Sequence, residues 1–236
     1  MADPADRAKE AAARAAVAEI HAERAIALGT GSTAAYAIRE LATARPELRD
    51  RTYVASSRAS EELARGLGLP VRELRPGDRF DLMLDGADEV SASLDLTKGG
   101  GGALFREKFL ARLSLRLVIL VDPGKLVDRL GSRHPIPIEV VPFAGPVLAH
   151  DLAAAGYRVE RRGGPGGAPF RTDNGNEILD LWPSEPLRDP AAVDRELRAR
   201  PGIVETGIFP AMADRVVVGR DDGRVERRDR PAPRRG

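Results

Sequence analysis

The chain has 236 residues, 42% of them hydrophobic and 31% charged, which allows one large globular domain or two modest ones. Its formal net charge of +1 gives no overall attraction to nucleic acid or to a membrane, so neither is expected as a partner. Cysteine is absent, which excludes disulfides and thiolate chemistry, and no stretch has the pattern of a signal peptide or a membrane span, so we expect a cytoplasmic protein.

The first half of the chain alternates apolar strands with amphipathic helices. An Ala-, Glu- and Arg-rich segment with helical spacing comes first. The alternation that follows is typical of an α/β fold, with a Rossmann-like, mostly parallel sheet and helices on both faces. Strands are predicted within 25–28, 51–57, 80–90 and 116–122, and helices within 5–23, 32–41, 59–68 and 101–114.

The pattern changes after about residue 130. Four prolines within 134–146 predict an edge strand or an extended segment. A helix and a strand within 147–162, a glycine-rich loop at 163–169, and a strand, helix and strand within 176–209 then predict a small, ferredoxin-like α+β domain. A hairpin within 213–228 and a frayed tail at 228–236 complete the chain. We therefore expect a Rossmann-like domain of residues 1–131 and 207–236 and an inserted domain of residues 132–206.

The segment GTGSTA, residues 29–34, joins the first strand to its helix. Its glycines let the backbone approach a ligand, and free N–H groups at a helix N-terminus favour an anion. The spacing also fits a dinucleotide fingerprint, but such a site needs an acid at the end of the second strand, where this chain has Ser56 and Ser57. Hydroxyls there suit a phosphate better. A plain turn capped by Ser32 is the structural alternative.

Three carboxylates, Asp85, Asp88 and Glu89, follow the third strand in the segment DGADE. In open α/β sheets ligands bind at the carboxyl ends of strands, so the two aspartates are expected to face a cleft. The alternative for Asp85 is a local turn in which it accepts backbone N–H groups. For Glu89 we expect a merely solvated side chain.

The segment KGGGGALFREK, residues 98–108, holds four consecutive glycines. They fit a backbone wrapped against a ligand or another loop, with Lys98 before them and Glu107 in the helix beyond. The alternative for Glu107 is an exposed helical acid paired with a base. Only four of 37 basic residues are lysine, so each of these can mark a site that needs a compact, tunable donor, although codon bias explains the total.

These loops follow strands of one sheet, so their polar groups are expected to converge. A carboxylate that removes a carbon-bound proton and a lysine that stabilises the developing oxyanion suit proton transfer beside a carbonyl. Clustered acids raise one another's pKa, which keeps one available near neutral pH. A Mg²⁺ site is the alternative, but Lys98 and the anion loop would replace such an ion, so no metal is expected.

Five segments, at 29–34, 85–90, 98–108, 135–142 and 172–180, resemble in order the hallmark segments of type A ribose-5-phosphate isomerases. The matching blocks span roughly residues 9–219. The resemblance implies interconversion of ribose 5-phosphate and ribulose 5-phosphate in the pentose phosphate pathway, without a metal or organic cofactor. It further implies ring opening, an enediolate intermediate, and a homodimer or homotetramer.

The resemblance also implies roles for individual residues. Glu107 would be the base, Lys98 would stabilise the enediolate oxygen, and Asp85, with Asp88 beside it, would help to open the ring. The implied substrate-binding set is Thr30, Gly31, Ser32, Thr33, Asp85, Gly86, Ala87, Asp88, Lys98, Gly99, Gly100, Gly101, Lys125 and Lys9. The phosphate would lie either at the Thr30–Thr33 loop or near Lys9 and Lys125. Two segments depart from the family pattern, VDPGK at 121–125 and the long glycine-rich stretch at 161–170.

Two other classes of function share this kind of sheet. A sugar-phosphate sensor is disfavoured, because no helix-turn-helix precedes residue 25 and no basic patch stands out. A sugar-phosphate deaminase or a CoA transferase would need loop chemistry other than the DGADE and KGGGG pair.

Overall fold

A computed structural model of the chain describes residues 3–231. The helices are α1 Pro4–Ala18, α2 Ser32–Thr43, α3 Arg58–Gly66, α4 Leu104–Leu113, α5 Gly145–Ala154 and α6 Pro190–Arg198. The strands are β1 Ala25–Leu28, β2 Thr52–Ala55, β3 Leu82–Asp85, β4 Glu89–Val90, β5 Leu96–Thr97, β6 Leu117–Val121, β7 Ile136–Val140, β8 Arg158–Arg161, β9 Glu177–Trp182, β10 Ile203–Thr206, β11 Ile208–Phe209, β12 Arg215–Gly219 and β13 Val225–Asp229. In the part of the chain so described, no helix combines the length and apolar character that crossing a bilayer requires.

The chain divides into two compact units. Unit one holds the described residues of Met1–Gly86, Leu110–Gly124 and Ala211–Gly236, and unit two holds Ala87–Phe109 and Lys125–Pro210. These limits differ from those of the predicted domains, 1–131 with 207–236 and 132–206.

The residues 87–109, which we assigned to the Rossmann-like domain, belong instead to unit two. The reason is a three-stranded antiparallel sheet in the order β11-β5-β4, continued by a hydrogen bond of 2.9 Å from the Lys98 N–H to the Gly207 carbonyl. Strands of two residues leave no periodic pattern in a sequence, so this sheet was not predicted.

Unit one contains the predicted parallel sheet, in the order β13-β12-β6-β3-β1-β2. All neighbours are parallel except β12 and β13, which form the predicted hairpin with Gly223 at φ +85°. Alternate strand residues such as Leu28 and Leu84 pack with α1, α2 and α3 in one apolar core. Residues of the opposite parity, including Ala27 and Met83, are buried as well. Burial on both faces explains why these strands are continuous apolar runs.

Unit two contains a four-stranded antiparallel sheet in the order β10-β7-β9-β8, with α5 between β7 and β8 and α6 between β9 and β10. This is the predicted ferredoxin-like arrangement. The prediction of an edge strand at 134–146 is wrong, because β7 lies between β10 and β9. Proline has no N–H to donate to a neighbouring strand. The Pro137 carbonyl accepts the Gly207 N–H at 2.7 Å, so the missing N–H would face Gly207, which lies beyond the end of β10 at Thr206. The β7–β10 ladder therefore loses no hydrogen bond at Pro137.

Two further boundaries differ from the predictions. Helix α1 ends at Ala18 rather than near residue 23, because the Arg45 guanidinium donates to the carbonyls of Val17, Ala18 and Ile20 and closes the helix end. The segment at 228–236 was predicted to fray, but its first residues continue β13, and the rest beyond 231 lies outside the described residues.

Candidate active site

In unit one, Asp85 ends strand β3 and faces the turn after β1. Its side chain is fully buried, and Oδ1 accepts hydrogen bonds from the N–H groups of Thr30 (3.1 Å) and Gly86 (2.7 Å). β1 and β3 are parallel neighbours, so their carboxyl ends place both loops at the same edge of the sheet. A Cβ at Gly29 would collide with the Asp85 side chain, which explains the glycine there. Asp85 therefore accepts a backbone N–H group in its own turn, as the alternative predicted, and it also accepts one from the loop that follows β1.

The first turn of α2 begins at a glycine and, in the described part of the chain, has no side-chain cap. Gly31 occupies the N-cap position with φ +102°, and both Gly31 and Ser32 are exposed. Within residues 3–231, no side chain caps α2, so the alternative of a turn capped by Ser32 is wrong. The orphan N–H groups and the positive end of the helix dipole therefore face outward.

The two serines that we expected to meet a phosphate instead support this turn. Ser56 is fully buried and its Oγ lies 2.7 Å from Thr30 Oγ1. Ser57 caps α3 by accepting the Ser60 N–H at 3.2 Å, and Ser60 Oγ donates to the Gly29 carbonyl at 2.7 Å. These hydroxyls fix the loop rather than line its outer face.

In unit two, Lys98 and Glu107 form a buried ion pair. Lys98 follows β5 and Glu107 lies in the first turn of α4, with Nζ and Oε1 3.4 Å apart and side-chain exposures of 2% and 4%. The alternative of an exposed helical acid is therefore wrong. A carboxylate beside an ammonium group in a water-poor site is the arrangement that proton abstraction with oxyanion stabilisation requires.

Asp88 belongs to the same unit as this pair. Its N–H donates to the Thr97 carbonyl at 2.8 Å across the β4–β5 ladder, one residue before Lys98. Its Oδ2 accepts the Gly100 N–H at 2.8 Å, and a Cβ at Gly100 would lie 2.7 Å from Oδ1. The glycine run thus wraps around Asp88, as a backbone pressed against another loop was expected to do.

Glu89 is not the solvated side chain that we predicted. It is fully buried and accepts three backbone N–H groups, from Gly131 (2.5 Å), Arg133 (2.6 Å) and His134 (2.9 Å). Of the three carboxylates in DGADE, this one anchors the segment that leads into β7.

A second buried lysine, Lys108, follows Glu107 directly. Its Nζ lies 2.8 Å from Glu205 Oε1 and 3.2 Å from Asp194 Oδ1, and its side chain is 2% exposed. Burial lowers the pKa of the Lys108 ammonium group, against the opposing effect of the two carboxylates. The Phe209 ring lies near both lysines, with its centroid 4.9 Å from Lys108 Nζ and 5.6 Å from Lys98 Nζ.

The other two lysines lie in different surroundings. Lys9 forms an ion pair of 3.2 Å with Asp6, one turn earlier in α1. Lys125 is half-buried at the end of a 3-10 turn, Pro123–Lys125.

The predicted residues therefore fall into two groups. Unit one brings Asp85 and Gly86 to the Thr30–Thr33 loop, and unit two brings Asp88, Lys98, the glycines and Glu107 together. The contacts of Phe209 with both lysines and the anchoring by Glu89 were not predicted from the sequence. Within residues 3–231, no three His, Cys, Asp or Glu side chains are placed to bind a common metal ion.

Comparison with known families gives a single result. The family model described as Ribose 5-phosphate isomerase A (phosphoriboisomerase A) matches residues 52–223. A ribose-5-phosphate isomerase A of Thermomicrobium roseum is 46% identical over 219 residues, which covers 92% of this chain and 92% of the relative.

Solved structures agree with the sequence relatives. A D-ribose-5-phosphate isomerase in complex with phospho-erythronic acid superposes with a TM-score of 0.91 at 38% identity, covering 96% of this chain and 99% of the other. The ribose 5-phosphate isomerase A of Methanocaldococcus jannaschii gives a TM-score of 0.87 at 37% identity, with coverages of 94% and 97%.

Proposed function

The chain belongs to the ribose 5-phosphate isomerase A family, and we propose on this basis that it interconverts ribose 5-phosphate and ribulose 5-phosphate in the non-oxidative branch of the pentose phosphate pathway. The reaction is an aldose–ketose isomerisation, in which the furanose ring opens and a proton moves between C2 and C1 through an enediolate.

The observation that carries the proposal is the buried Lys98–Glu107 pair. Glu107 takes the proton from C2 of the open-chain aldose and returns it to C1. The C1 oxygen gains negative charge as the enediolate forms, and the Lys98 ammonium group stabilises it. Both side chains are almost fully buried, so the abstracted proton is shielded from bulk water and the charge interaction is stronger than in solution.

The remaining residues bind the sugar and manage its hydroxyl protons. Asp85, with Asp88 beside it on the chain, takes the proton of the C1 hydroxyl as the C1–O4 bond breaks, and the released ring oxygen O4 is protonated. During the isomerisation the C2 hydroxyl gives up its proton and the C1 oxygen gains one. The backbone of the glycine run, Gly99–Gly101, and the Gly86–Ala87 turn line the substrate. The exposed first turn of α2, at Thr30–Thr33, and the lysines Lys9 and Lys125 are the anion-binding groups available to the phosphate.

We also infer a homodimer, with a homotetramer as the other outcome, in the cytoplasm. Unit two exposes three apolar side chains at the end of β7 and the start of α5: Val141 is 41% exposed, Phe143 95% and Val147 64%. Such a group favours burial against another copy. If this surface is the contact, Phe143→Glu lowers the mass measured by light scattering to that of a smaller assembly, whereas an unchanged mass excludes it.

Ribulose 5-phosphate formation from ribose 5-phosphate, followed with a chelator present, tests the proposal. We expect turnover without added metal, and a loss of about 10²–10⁴ in kcat for Glu107→Gln. The matched control is Glu62→Gln, at an exposed helical acid of α3, which leaves kcat unchanged. A fully active Glu107→Gln variant would remove the assignment of the base, and a folded but inactive wild type would remove the function.

A further inference from the structure

Arg162 joins the small sheet to the glycine run. It follows β8, and its Nε and Nη2 bind the two carboxylate oxygens of Asp180 at 2.8 and 2.5 Å. Its remaining nitrogen, Nη1, donates to the carbonyls of Gly99 (2.8 Å) and Gly100 (3.1 Å). The paired carboxylate fixes the planar guanidinium group, so Nη1 is aimed at the loop.

One peptide group connects this arginine to Asp88. The Gly99 carbonyl accepts from Arg162, and the N–H of the same peptide, which belongs to Gly100, donates to Asp88 Oδ2 at 2.8 Å. The peptide is planar, so its two ends point in fixed opposite directions. A guanidinium group at one end and a carboxylate at the other make both hydrogen bonds charge-assisted and mutually reinforcing.

Steric contacts restrict the backbone conformation of the glycine run, Gly99–Gly102. Gly99 has φ +106°, where side chains are rarely tolerated, and a Cβ there would lie 2.9 Å from Leu104. The Phe170 ring, 5.8 Å from the Arg162 guanidinium carbon, occupies the space where a Cβ of Gly102 would stand. Arg162 and Phe170 both come from the glycine-rich stretch at 161–170.

We propose that Arg162 is a positioning residue for the isomerisation, which holds the Gly99–Gly100 peptide so that its N–H fixes the carboxylate of Asp88. The inference rests on the proposed function, because it assigns Arg162 a part in that same reaction. Arg162 contacts no group that reacts, and its effect reaches the substrate through the peptide and Asp88.

The chain supplies a matched control in the preceding residue. Arg161 also makes a two-bond pair with a carboxylate of β9, Glu177, at 2.7 and 2.8 Å, but its bonds do not include the glycine run. Arg161→Gln and Arg162→Gln therefore each remove a two-bond pair from adjacent positions. Glu177 keeps Arg171 as a partner at 3.2 Å, and only Arg162→Gln releases the peptide.

The experiment measures kcat and KM for ribose 5-phosphate in both variants, alone and combined with Asp88→Asn. We expect Arg162→Gln to lower kcat by about 10- to 100-fold with KM within about threefold, and Arg161→Gln to change neither by more than about twofold. In the Asp88→Asn background, Arg162→Gln should lower kcat by less than about threefold, because the group it positions is already altered.

The proposal would be overturned if Arg162→Gln lowered kcat by the same factor in the wild-type chain and in the Asp88→Asn variant. Equal kcat values for Arg161→Gln and Arg162→Gln would also overturn it. So would a fully active Asp88→Asn variant. If Arg162→Gln does not fold, Arg162→Lys replaces it, because lysine keeps the positive charge but cannot make the two-bond pair with Asp180. We expect the same kcat changes, with and without Asp88→Asn. Partial recovery of Arg162→Ala by added methylguanidinium would support a positioning role. A folded wild-type protein that does not turn over ribose 5-phosphate would contradict the proposed function. An active wild type whose Arg162 variants keep full kcat would contradict only the role of Arg162.

Discussion

Lys98 Nζ lies 3.4 Å from Glu107 Oε1, and neither side chain has more than 4% of its surface exposed. We expect Lys98→Met to lower kcat by about 10²–10³, because the variant loses the donor to the enediolate oxygen. Lys98→Arg should also be impaired, since a guanidinium fork does not fit a cavity built around an ammonium group. Steady-state kinetics with circular dichroism of the folded variants measures this. Activity within about threefold of wild type in Lys98→Met would contradict the role of this lysine.

Glu89→Gln separates the anchoring carboxylate of DGADE from the two aspartates. The substitution replaces a carboxylate that accepts three N–H groups with an amide whose NH₂ cannot accept, so we expect a loss of about 2 kcal/mol in the free energy of unfolding. Urea denaturation measures the loss. The folded variant should keep a kcat close to wild type, whereas Asp85→Asn should lower kcat. A large fall in kcat for folded Glu89→Gln would show that all three acids take part in the chemistry.

Lys108→Met should be among the most destabilising single changes in unit two. It leaves the buried carboxylates of Asp194 and Glu205 with Arg198, at 3.2 and 3.8 Å, as their remaining cationic partner. The loss should therefore fall at the lower end of the range for a broken buried pair, about 3 kcal/mol. The control is Arg200→Met, which removes a solvent-facing partner of Glu196 and should change stability by less than about 1 kcal/mol. Adding Asp194→Asn and Glu205→Gln to Lys108→Met should recover much of the loss. A Lys108→Met unfolding midpoint equal to wild type would contradict the argument.

The Arg72–Asp78 pair predicts a pH-dependent contribution to stability. Two hydrogen bonds of 2.7 Å from Arg72 lower the pKa of Asp78 to about 2. The unfolded carboxyl has a pKa of about 3.9, so the folded state prefers the ionised form, and the stabilisation is present above pH of about 4 and is lost as the pH falls towards 2.

We therefore expect Asp78→Asn to lower the urea midpoint at pH 7 and to match wild type near pH 2. Asp50→Asn, at a side chain 69% exposed beside Arg51, is the control and should change little at either pH. A difference between Asp78→Asn and wild type that is the same at both pH values would rule out this linkage.

The parts of the fold that follow a local rule were predicted from the sequence. Fully buried strands such as β6 are continuous apolar runs, which a sequence shows directly. β7 was misassigned because proline normally excludes an interior strand, and only the end of β10 at Thr206 makes Pro137 acceptable. That partner lies almost seventy residues away, beyond the reach of any local pattern.

The candidate site shows the same division between local and distant causes. The glycine run and its flanking Lys98 and Glu107 were recognisable, because their residue types are unusual at those spacings. Whether an acid is buried could not be predicted in the same way. Glu107 and Glu89 are both buried, yet the first meets an ammonium group and the second meets backbone N–H groups more than forty residues away. Arg162 was missed because its role depends on a peptide carbonyl, which every sequence position supplies.

The parallel pairing of β6 with β12 has a consequence for the growing chain on the ribosome. β6 is complete once residue 121 has been synthesised, but the strand that covers its outer edge ends only at Gly219. During the intervening translation, an apolar strand edge stays open to any neighbouring nascent polypeptide, which is the condition under which multi-segment proteins misassemble. Ribosome stalling before residue 215 would therefore expose a surface for chaperones, and moving β12 and β13 ahead of α1 by circular permutation would close that edge early.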